Sequence, residues 1–268
     1  MPDLLASFHR QIRLGVGEGS PRSERTWVDG LARVVSTDPQ DPWAMVDCPN
    51  GLGADPDARI ARERDHFVGL GLALEWKTYS YDEPADLGAR LLAAGFAKED
   101  DEALMLGELA DLVGSLDLPP GVVVRPLRTT GDVRRVRELY HHVWGGSWGA
   151  ADGGGGRDDE EPLPPGDPSE CALLAEVGPD GPVVCAARVN LCPGTEFAGM
   201  WGGSTHPQWR RRGLFRALLS TRAQWAMDRG YRLARVDASP DSEPILAGLG
   251  LRRVATTTPY TFAAAAND

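Results

Sequence analysis

The chain has 268 residues, of which 42% are hydrophobic and 25% are charged; this composition is typical of globular proteins, and the length favours two domains. Its formal charge of −11 at pH 7 argues against a nucleic-acid partner, because a nucleic-acid-binding surface must offset phosphate charge. No stretch approaches the roughly 20 apolar residues that span a bilayer. The first ten residues do not resemble a targeting signal, so we expect a cytoplasmic protein without a membrane partner.

The four cysteines form no Cys-x-x-Cys pair, so the sequence predicts neither a metal site nor a redox centre. Three of them lie in apolar stretches, where a cysteine is usually a small core residue. The four cysteines are Cys48, Cys171, Cys185 and Cys192.

The first third of the sequence is predicted to be mixed α/β. Strands are predicted at residues 25–35, 43–47, 72–81 and 102–109. A helix is predicted at residues 54–69, with Asp55 as its cap and Pro56 in its first turn. A second helix follows Pro84 and ends at Gly95.

Pro119 and Pro120 break both the helical and the strand period, so we place a domain boundary there, with domains at residues 1–117 and 118–268. The second part contains a long polar, glycine-rich loop at residues 145–169. Its predicted elements are a strand at 122–126, a helix from Asp132, strands at 171–177, 183–191 and 197–205, a helix at 214–228, a strand at 233–238, a short helix at 243–248 and a strand at 253–262.

The two halves have an approximate internal repeat. In each, a strand is followed by Glu-Pro, a helix, a glycine with an apolar neighbour, and a further strand; the two copies lie at residues 79–96 and 237–251. The similarity indicates a duplicated α/β unit.

A basic turn between a strand and a helix is the most informative segment. Arg210, Arg211 and Arg212 precede Gly213, which opens an amphipathic helix. The first N–H groups of a helix are unpaired and carry partial positive charge, and glycine allows a phosphate to approach the backbone. The pattern therefore favours an anion site, with a solvated basic turn as the alternative.

This segment resembles motif A of the GNAT superfamily of N-acetyltransferases, in which Arg/Gln-x-x-Gly-x-Gly/Ala follows a strand. Arg210-x-x-Gly213-x-Phe215 fits the pattern, and the order of elements agrees over about residues 122–262. The resemblance implies an α/β (α+β) fold with a mixed central sheet flanked by helices. It also implies two GNAT-like domains in tandem, the first degenerate, and acetyl-CoA as co-substrate.

The resemblance implies specific contacts with acetyl-CoA. The backbone at Gly203, Ser204 and Thr205 would contact the pantetheine arm, and Ser239 would lie beside it. The pyrophosphate would be bound by Arg210 and by the backbone of Arg211, Arg212, Gly213, Leu214, Phe215 and Arg216.

Two positions depart from the family pattern. Phe215 replaces the usual small residue, and Leu246 stands where many members have a tyrosine that protonates the leaving thiolate. For the proton donor we consider Ser239 and Tyr260, although a core position is the alternative for Tyr260. For the base we consider Glu196, His206 or a water chain, although Glu196 is equally typical of a solvated turn.

The implied activity is transfer of an acetyl group to a primary amine. The loop at residues 145–169 would attract a small cationic amine through its acidic cluster, unless that cluster only keeps the loop solvated. The cluster comprises Asp152, Asp158, Asp159, Glu160, Glu161 and Asp167. The alternative function is a domain that binds acyl-CoA without turnover, as a sensor. The first domain is expected not to bind CoA, because aspartates flank its helix start.

Overall fold

The computed structural model describes residues 3–15, 23–39, 42–145, 161–163 and 166–263. In these residues one mixed sheet of twelve strands is flanked by helices on both faces, which confirms the predicted fold class. The strands are β1 (Ser23–Val28), β2 (Leu31–Ser36), β3 (Ala44–Asp47), β4 (Leu74–Tyr79), β5 (Ala97–Lys98), β6 (Glu102–Glu108), β7 (Val122–Pro126), β8 (Glu170–Val177), β9 (Val183–Leu191), β10 (Phe197–Thr205), β11 (Leu233–Ala238) and β12 (Arg252–Phe262). The helices are α1 (Leu4–Phe8), α2 (Pro56–Gly69), α3 (Leu87–Ala93), α4 (Leu109–Leu112), α5 (Thr130–Trp144), α6 (Leu214–Met227) and α7 (Glu243–Ala247).

The single strand predicted at residues 25–35 is wrong, because a hairpin divides it. Asp29 and Gly30 both have positive φ, 50° and 82°, and join β1 to β2 by a two-residue turn. Asp-Gly is a preferred sequence for such a turn, since its twist matches that of the flanking strands. A second element that the sequence did not predict is α1, which continues as a π-helical segment at His9–Arg13.

The second half follows the predicted order of elements. Helix α5 starts two residues before the expected Asp132, because Thr129 caps it and Asp132 bonds back to the cap, forming a capping box. A 3₁₀ turn at Pro207–Trp209 separates β10 from α6.

The two halves exchange their closing strands. The sheet order is β1-β2-β3-β4-β12-β6-β11-β10-β9-β8-β7, with β5 paired to β12. Strand β6 from the first half therefore pairs with β11, while β12 from the end of the chain pairs with β4. One continuous sheet crosses the boundary at residues 117/118 that we propose.

Each face of the sheet carries a different set of helices. Leu219 and Ala223 of α6 pack with Leu112 of α4 and Leu246 of α7 in one core cluster. On the opposite face, Phe8 of α1 packs on Leu104, Leu106, Phe197 and Leu233. Helix α5 also lies on this second face, where its Leu139 packs on Leu174 and Ala186.

Buried ion pairs attach the N-terminal segment to the first half. Arg13, 1% exposed, lies 2.5 Å from an oxygen of Asp47 and 2.7 Å from one of Asp82. Burial raises the pKa of Asp82 to about 6, despite the opposing effect of Arg13. These pairs fix the segment against β3 and β4.

All four cysteines are free thiols. Burial raises the pKa of Cys48 to about 12 and that of Cys185 to about 11, so both remain protonated as small core side chains. None of the helices in the described ranges has the length and apolar composition needed to cross a bilayer.

Candidate functional site

Strands β10 and β11 separate part-way along their length. They pair in parallel only from Phe197 to Gly199 on β10 and from Leu233 to Arg235 on β11. Both strands continue beyond these residues, to Thr205 and Ala238. The result is a V-shaped slot in the middle of the sheet, open toward the carboxyl ends of the two strands.

A β-bulge lies on one wall of this slot. The register of β10 with β9 passes from Trp201–Arg188 to Ser204–Ala186, so Gly202 and Gly203 oppose one residue. Gly202 has φ of 61°, and a Cβ there would lie 2.9 Å from the Tyr140 hydroxyl. Such bulges redirect backbone groups out of the ladder, which here directs them toward the slot.

The bulge is packed closely from both faces of the sheet. A Cβ on Gly203 would lie 2.8 Å from the ring of Phe215 on α6. From α5, the indole N–H of Trp144 donates a hydrogen bond to Ser204 Oγ at 2.7 Å. The close approach of Tyr140 and Phe215 explains why positions 202 and 203 require glycine. Together with the hydrogen bond from Trp144, these contacts hold the bulge in one conformation.

The start of α6 lies beyond the open end of the slot. Arg211 and Gly213 have positive φ, 62° and 82°, and Gly213 caps the helix without any side-chain acceptor for its first N–H groups. Backbone turns of this kind form concave anion sites. The side chains of Arg210, Arg211, Arg212 and Arg216 are exposed around the turn, so positive charge surrounds these N–H groups.

No protein-family model matches this sequence, and no curated protein matches it either. Solved structures match over most of the chain. A GCN5-related N-acetyltransferase from Kribbella flavida aligns with 18% identity and a TM-score of 0.63 over 89% of each chain. One from Sphaerobacter thermophilus aligns with 14% identity and a TM-score of 0.57, over 87% of this chain and 76% of the other.

A tandem GNAT protein from the clavulanic acid biosynthesis pathway aligns over 93% of this chain and 86% of its own, with 14% identity and a TM-score of 0.53. The chain has the GNAT fold. The last match extends this likeness to a tandem arrangement, as expected from the internal repeat of the sequence.

The slot of this GNAT fold opens into a cavity of about 830 Å³. On the α6 side its walls include Phe215, Leu219 and Leu246, and on the α5 side they include Tyr140 and Trp144. Strands β1 to β4 of the first half close the far side of the cavity. They contribute Arg25, Val34, Met45, Asp47, Glu75, Lys77 and Tyr79. Both halves of the chain thus line this one cavity, which we call the chamber.

The structure brings several of the predicted site residues together. Gly203, Phe215 and Ser239 line the cavity, and Ser239 follows directly after β11. The side chains of Ser204 and Thr205 are engaged with Trp144 and Cys185, so only their backbone is available to a ligand. Leu214 is buried in the core and contributes only its backbone to the turn.

Two of the predicted catalytic residues lie away from the slot. Tyr260 is buried in a core cluster with Trp76 and Leu91, whereas its neighbours Pro259 and Thr261 line the cavity. Because successive residues of a strand point to opposite faces, Tyr260 points away from the cavity, which corrects its assignment as proton donor.

Glu196 precedes β10, at the opposite end of that strand from Thr205. Its carboxylate accepts hydrogen bonds from Gln11 at 2.9 Å and from Arg232 at 2.8 Å. These partners lower its pKa, and the length of β10 separates it from the open end of the slot. Glu196 is therefore corrected from a candidate base to a surface ion-pair residue.

The remaining candidates are His206, considered as a base, and the acidic residues of the loop at residues 145–169. The ring of His206 stacks on that of His142, with centroids 4.6 Å apart. Asp167 accepts two hydrogen bonds from Ser169, so it caps a turn. Asp152, Asp158, Asp159 and Glu160 lie outside the described residues.

Sequence reasoning missed a group of charged side chains that line the cavity. Lys77 on β4 lies 3.2 Å from Asp237 on β11 and 3.0 Å from Glu102 on β6. Burial raises the pKa of Glu75, two residues before Lys77. The alternation of Glu75, Lys77 and Tyr79 with Leu74, Trp76 and Thr78 was visible in the sequence. The exchange of closing strands that brings these side chains near β11 was not.

Among the residues that the structure describes, no group of three or more His, Cys, Asp or Glu side chains is arranged to bind a metal ion.

Proposed function

We propose that the chain is an acetyl-CoA-dependent N-acyltransferase that acts on the primary amine of a small molecule. The observation that carries the proposal is the pairing of a splayed, bulged slot between β10 and β11 with an anion-binding turn at Gly213. A thioester at the end of a phosphorylated arm requires both features, a narrow apolar channel and a cradle of N–H groups. The GNAT fold of the chain agrees with this assignment.

The residues present fit acetyl-CoA as a substrate. The turn at residues 210–216 would bind the pyrophosphate through its backbone N–H groups, with the arginines screening its charge. Phe215 and Leu246 would contact the apolar part of the arm, since both line the slot. The proposed contacts of Gly203, Ser204, Thr205 and Ser239 are along the slot walls.

The chemistry is direct transfer. The amine nitrogen attacks the thioester carbonyl carbon, the C–S bond breaks, an amide forms, and the thiolate leaves and takes a proton. Holding both reactants in one chamber removes much of the entropic barrier. A backbone N–H of the bulge at Gly202 or Gly203 would donate to the carbonyl oxygen as it gains negative charge.

The attacking amine must first lose a proton. Asp237 and Glu75 line the chamber, and we assign proton acceptance to this pair, directly or through water. A carboxylate whose pKa is raised by burial is a better proton acceptor near neutral pH, which favours Glu75.

The Tyr140 hydroxyl beside Gly202 provides a hydrogen-bond donor that the sequence lacks at Leu246. Burial raises the pKa of Tyr140, so it stays protonated while it donates. Thiols have a pKa of about 8.5, so a thiolate can leave with this degree of assistance.

The first half is proposed as a degenerate GNAT-like domain that shapes the acceptor side of the chamber. Its helix α2 begins with a cap already occupied, because the Asp55 carboxylate accepts the N–H of Ala58 at 3.1 Å. A second acidic residue, Asp57, follows in the first turn. Negative charge at this position repels a pyrophosphate.

The second candidate function is an acyl-CoA-binding sensor, favoured by the leucine at position 246. Turnover separates the two functions. The full chain is incubated with acetyl-CoA and a panel of primary amines, small cationic amines included, and free CoA is measured. Amine-dependent CoA release supports the transferase; tight acetyl-CoA binding without release by any amine supports the sensor and refutes the transferase.

A further inference from the structure

The chamber on the α5 side of the sheet has two ends of opposite charge. At one end, Glu75, Glu102 and Asp237 surround the ammonium group of Lys77, which compensates only part of their negative charge. At the other end lie three arginines, Arg13, Arg25 and Arg235. A ligand that fills the chamber meets both ends.

Arg235 stacks on aromatic rings and has no ion-pair partner among the described residues, although Asp237 and Asp47 lie near enough to act on its charge. Its guanidinium lies 4.9 Å from the centroid of the Trp201 ring and 5.8 Å from that of Phe8. Within the described ranges it makes no hydrogen bond and no ion pair. Stacking of this kind orients the planar guanidinium and leaves its N–H edge available to a ligand.

Arg25 has a similar deficit. Its two terminal nitrogens donate to the backbone oxygens of Ile12 and Arg13, at 2.8 and 2.6 Å. Its Nε–H is buried and has no acceptor among the described residues. Burial lowers the pKa of Arg25, and Arg235 lowers it further, although the nearby carboxylate of Asp47 opposes both.

At the arginine end, two of the three guanidinium groups have no carboxylate of the described residues within ion-pair distance. Arg13 is neutralised by its ion pairs with Asp47 and Asp82. The three arginines therefore face two carboxylates, and neither Arg25 nor Arg235 has a carboxylate of the described chain within ion-pair distance. Buried guanidinium donors that lack a direct carboxylate acceptor favour a ligand that supplies one.

We propose that the acceptor is an amino carboxylate, a small molecule that carries both a primary amine and a carboxylate, as amino acids do. Arg25 and Arg235 bind the carboxylate, and the amine lies toward Asp237 at the slot. The planar fork of an arginine matches a carboxylate in geometry as well as in charge. This inference rests on the proposed transferase function and narrows its acceptor from a cationic amine to a zwitterion.

The test compares acceptors that share one skeleton. Leucine, leucinamide and 3-methylbutylamine differ only in the carboxylate, as do phenylalanine, phenylalaninamide and phenethylamine. For each, kcat and KM are measured by free CoA release with the full chain. We expect kcat/KM for at least one amino acid to exceed that of its amide and its decarboxylated amine by tenfold or more.

Two variants locate the effect. Arg235→Gln and Arg25→Gln should each raise KM for the amino acid at least tenfold, while KM for its amide and for acetyl-CoA change less than twofold. The control is Arg232→Gln, which removes an exposed arginine of the same region that pairs with Glu108 and Glu196 outside the chamber. It should leave every constant within twofold.

The outcomes separate the two claims. If amides or decarboxylated amines react as well as the amino acids, the amino carboxylate proposal is overturned and the transferase function stands. If no amine of any class releases CoA, both claims fail. The comparison in the wild-type chain needs no variant, so a poorly folding Arg235→Gln protein does not remove the test.

Discussion

Arg222 of α6 donates a hydrogen bond from Nη1 to the backbone oxygen of Trp201 at 3.2 Å. The same nitrogen donates to the backbone oxygen of Arg188 at 2.9 Å, and Nε donates to Leu218 within the helix. Trp201 and Arg188 are the last paired residues before the bulge at Gly202. A buried guanidinium thus connects α6 to both strands at the point where the slot is shaped.

Replacing this guanidinium tests its positioning role. Burial lowers the pKa of Arg222 to about 10, which still leaves it charged at neutral pH. In Arg222→Met the two carbonyl oxygens lose a buried donor, which we expect to lower the free energy of unfolding by about 2 kcal/mol. We expect kcat to fall at least tenfold, because the bulge is no longer fixed, with KM for acetyl-CoA changed less than threefold.

The matched variant is Arg229→Met, since Arg229 follows the same helix, is exposed, and among the described residues donates only to the Trp225 backbone oxygen. Urea unfolding and steady-state kinetics are measured for both. A kcat for Arg222→Met that equals the wild-type value would show that Arg222 has no part in shaping the slot.

Gly213 offers a direct test of the anion site. Gly213→Asp places a carboxylate at the helix start, where it repels the pyrophosphate. The backbone φ of 82° at this position is also strained for any residue with a Cβ. We expect acetyl-CoA affinity, measured by calorimetry, to fall at least tenfold. Gly213→Asn has a similar backbone cost without the charge, so it should lose less affinity.

The control for backbone strain is at the other end of the same helix. Gly230 has φ of 86°, and no atom lies near the position of its Cβ. Gly230→Asp should therefore destabilise the chain to a similar degree without weakening acetyl-CoA binding. Equal affinity of Gly213→Asp and wild type would remove the turn from the proposed site.

The first half of the chain should not bind CoA. The capped, acidic start of α2 predicts that calorimetry gives one acetyl-CoA per chain. Replacement of Gly213 by Asp should then reduce the only binding event observed. A stoichiometry of two would contradict the assignment of a degenerate first domain.

Sequence patterns predicted most elements of the fold because helices and strands here follow local rules. Asp55 and Pro56 begin α2 as their types predict, and Gly213 begins α6. The hairpin at Asp29 was missed because the apolar residues on both sides continue the strand pattern through the turn. The exchange of β6 and β12 was beyond local patterns, since it is decided by which strand completes the sheet of the other half.

Some residues of the candidate site could likewise be predicted from the sequence, and others could not. The turn at Gly213 was found because its backbone function requires particular residue types in a fixed spacing. Tyr260 was placed at the site because a tyrosine in a strand gives no sign of the face that it occupies. Arg222 and Arg235 gave no signal, because their importance comes from contacts with residues far away in the sequence.

Asp132 should make the stability of the chain depend on acid pH. Its side chain is 2% exposed and bonds to Arg125 at 2.7 and 2.8 Å, and these bonds lower its pKa well below the usual range. A lowered pKa stabilises the fold above the unfolded pKa of about 3.9, and this contribution is lost as pH falls further.

The free energy of unfolding of Asp132→Asn should therefore be about 2 kcal/mol lower than that of wild type at pH 7, because Arg125 and Arg135 each lose one carboxylate partner and keep Glu176. The difference between the two proteins should begin to shrink as pH falls below about 4. Thermal or urea unfolding from pH 7 to pH 3 measures this. A difference that stays constant over that range would contradict the assigned role of Asp132.

Transfer of the acyl group itself is the most direct measurement. The full chain is incubated with acetyl-CoA labelled with carbon-13 in the acetyl group and with amino acids as acceptors, and the products are identified by mass spectrometry. We expect labelled acetyl on the amine nitrogen, with free CoA formed in equal amount. Acetyl-CoA that binds but keeps its label, or label that is released only as acetate, would contradict this prediction.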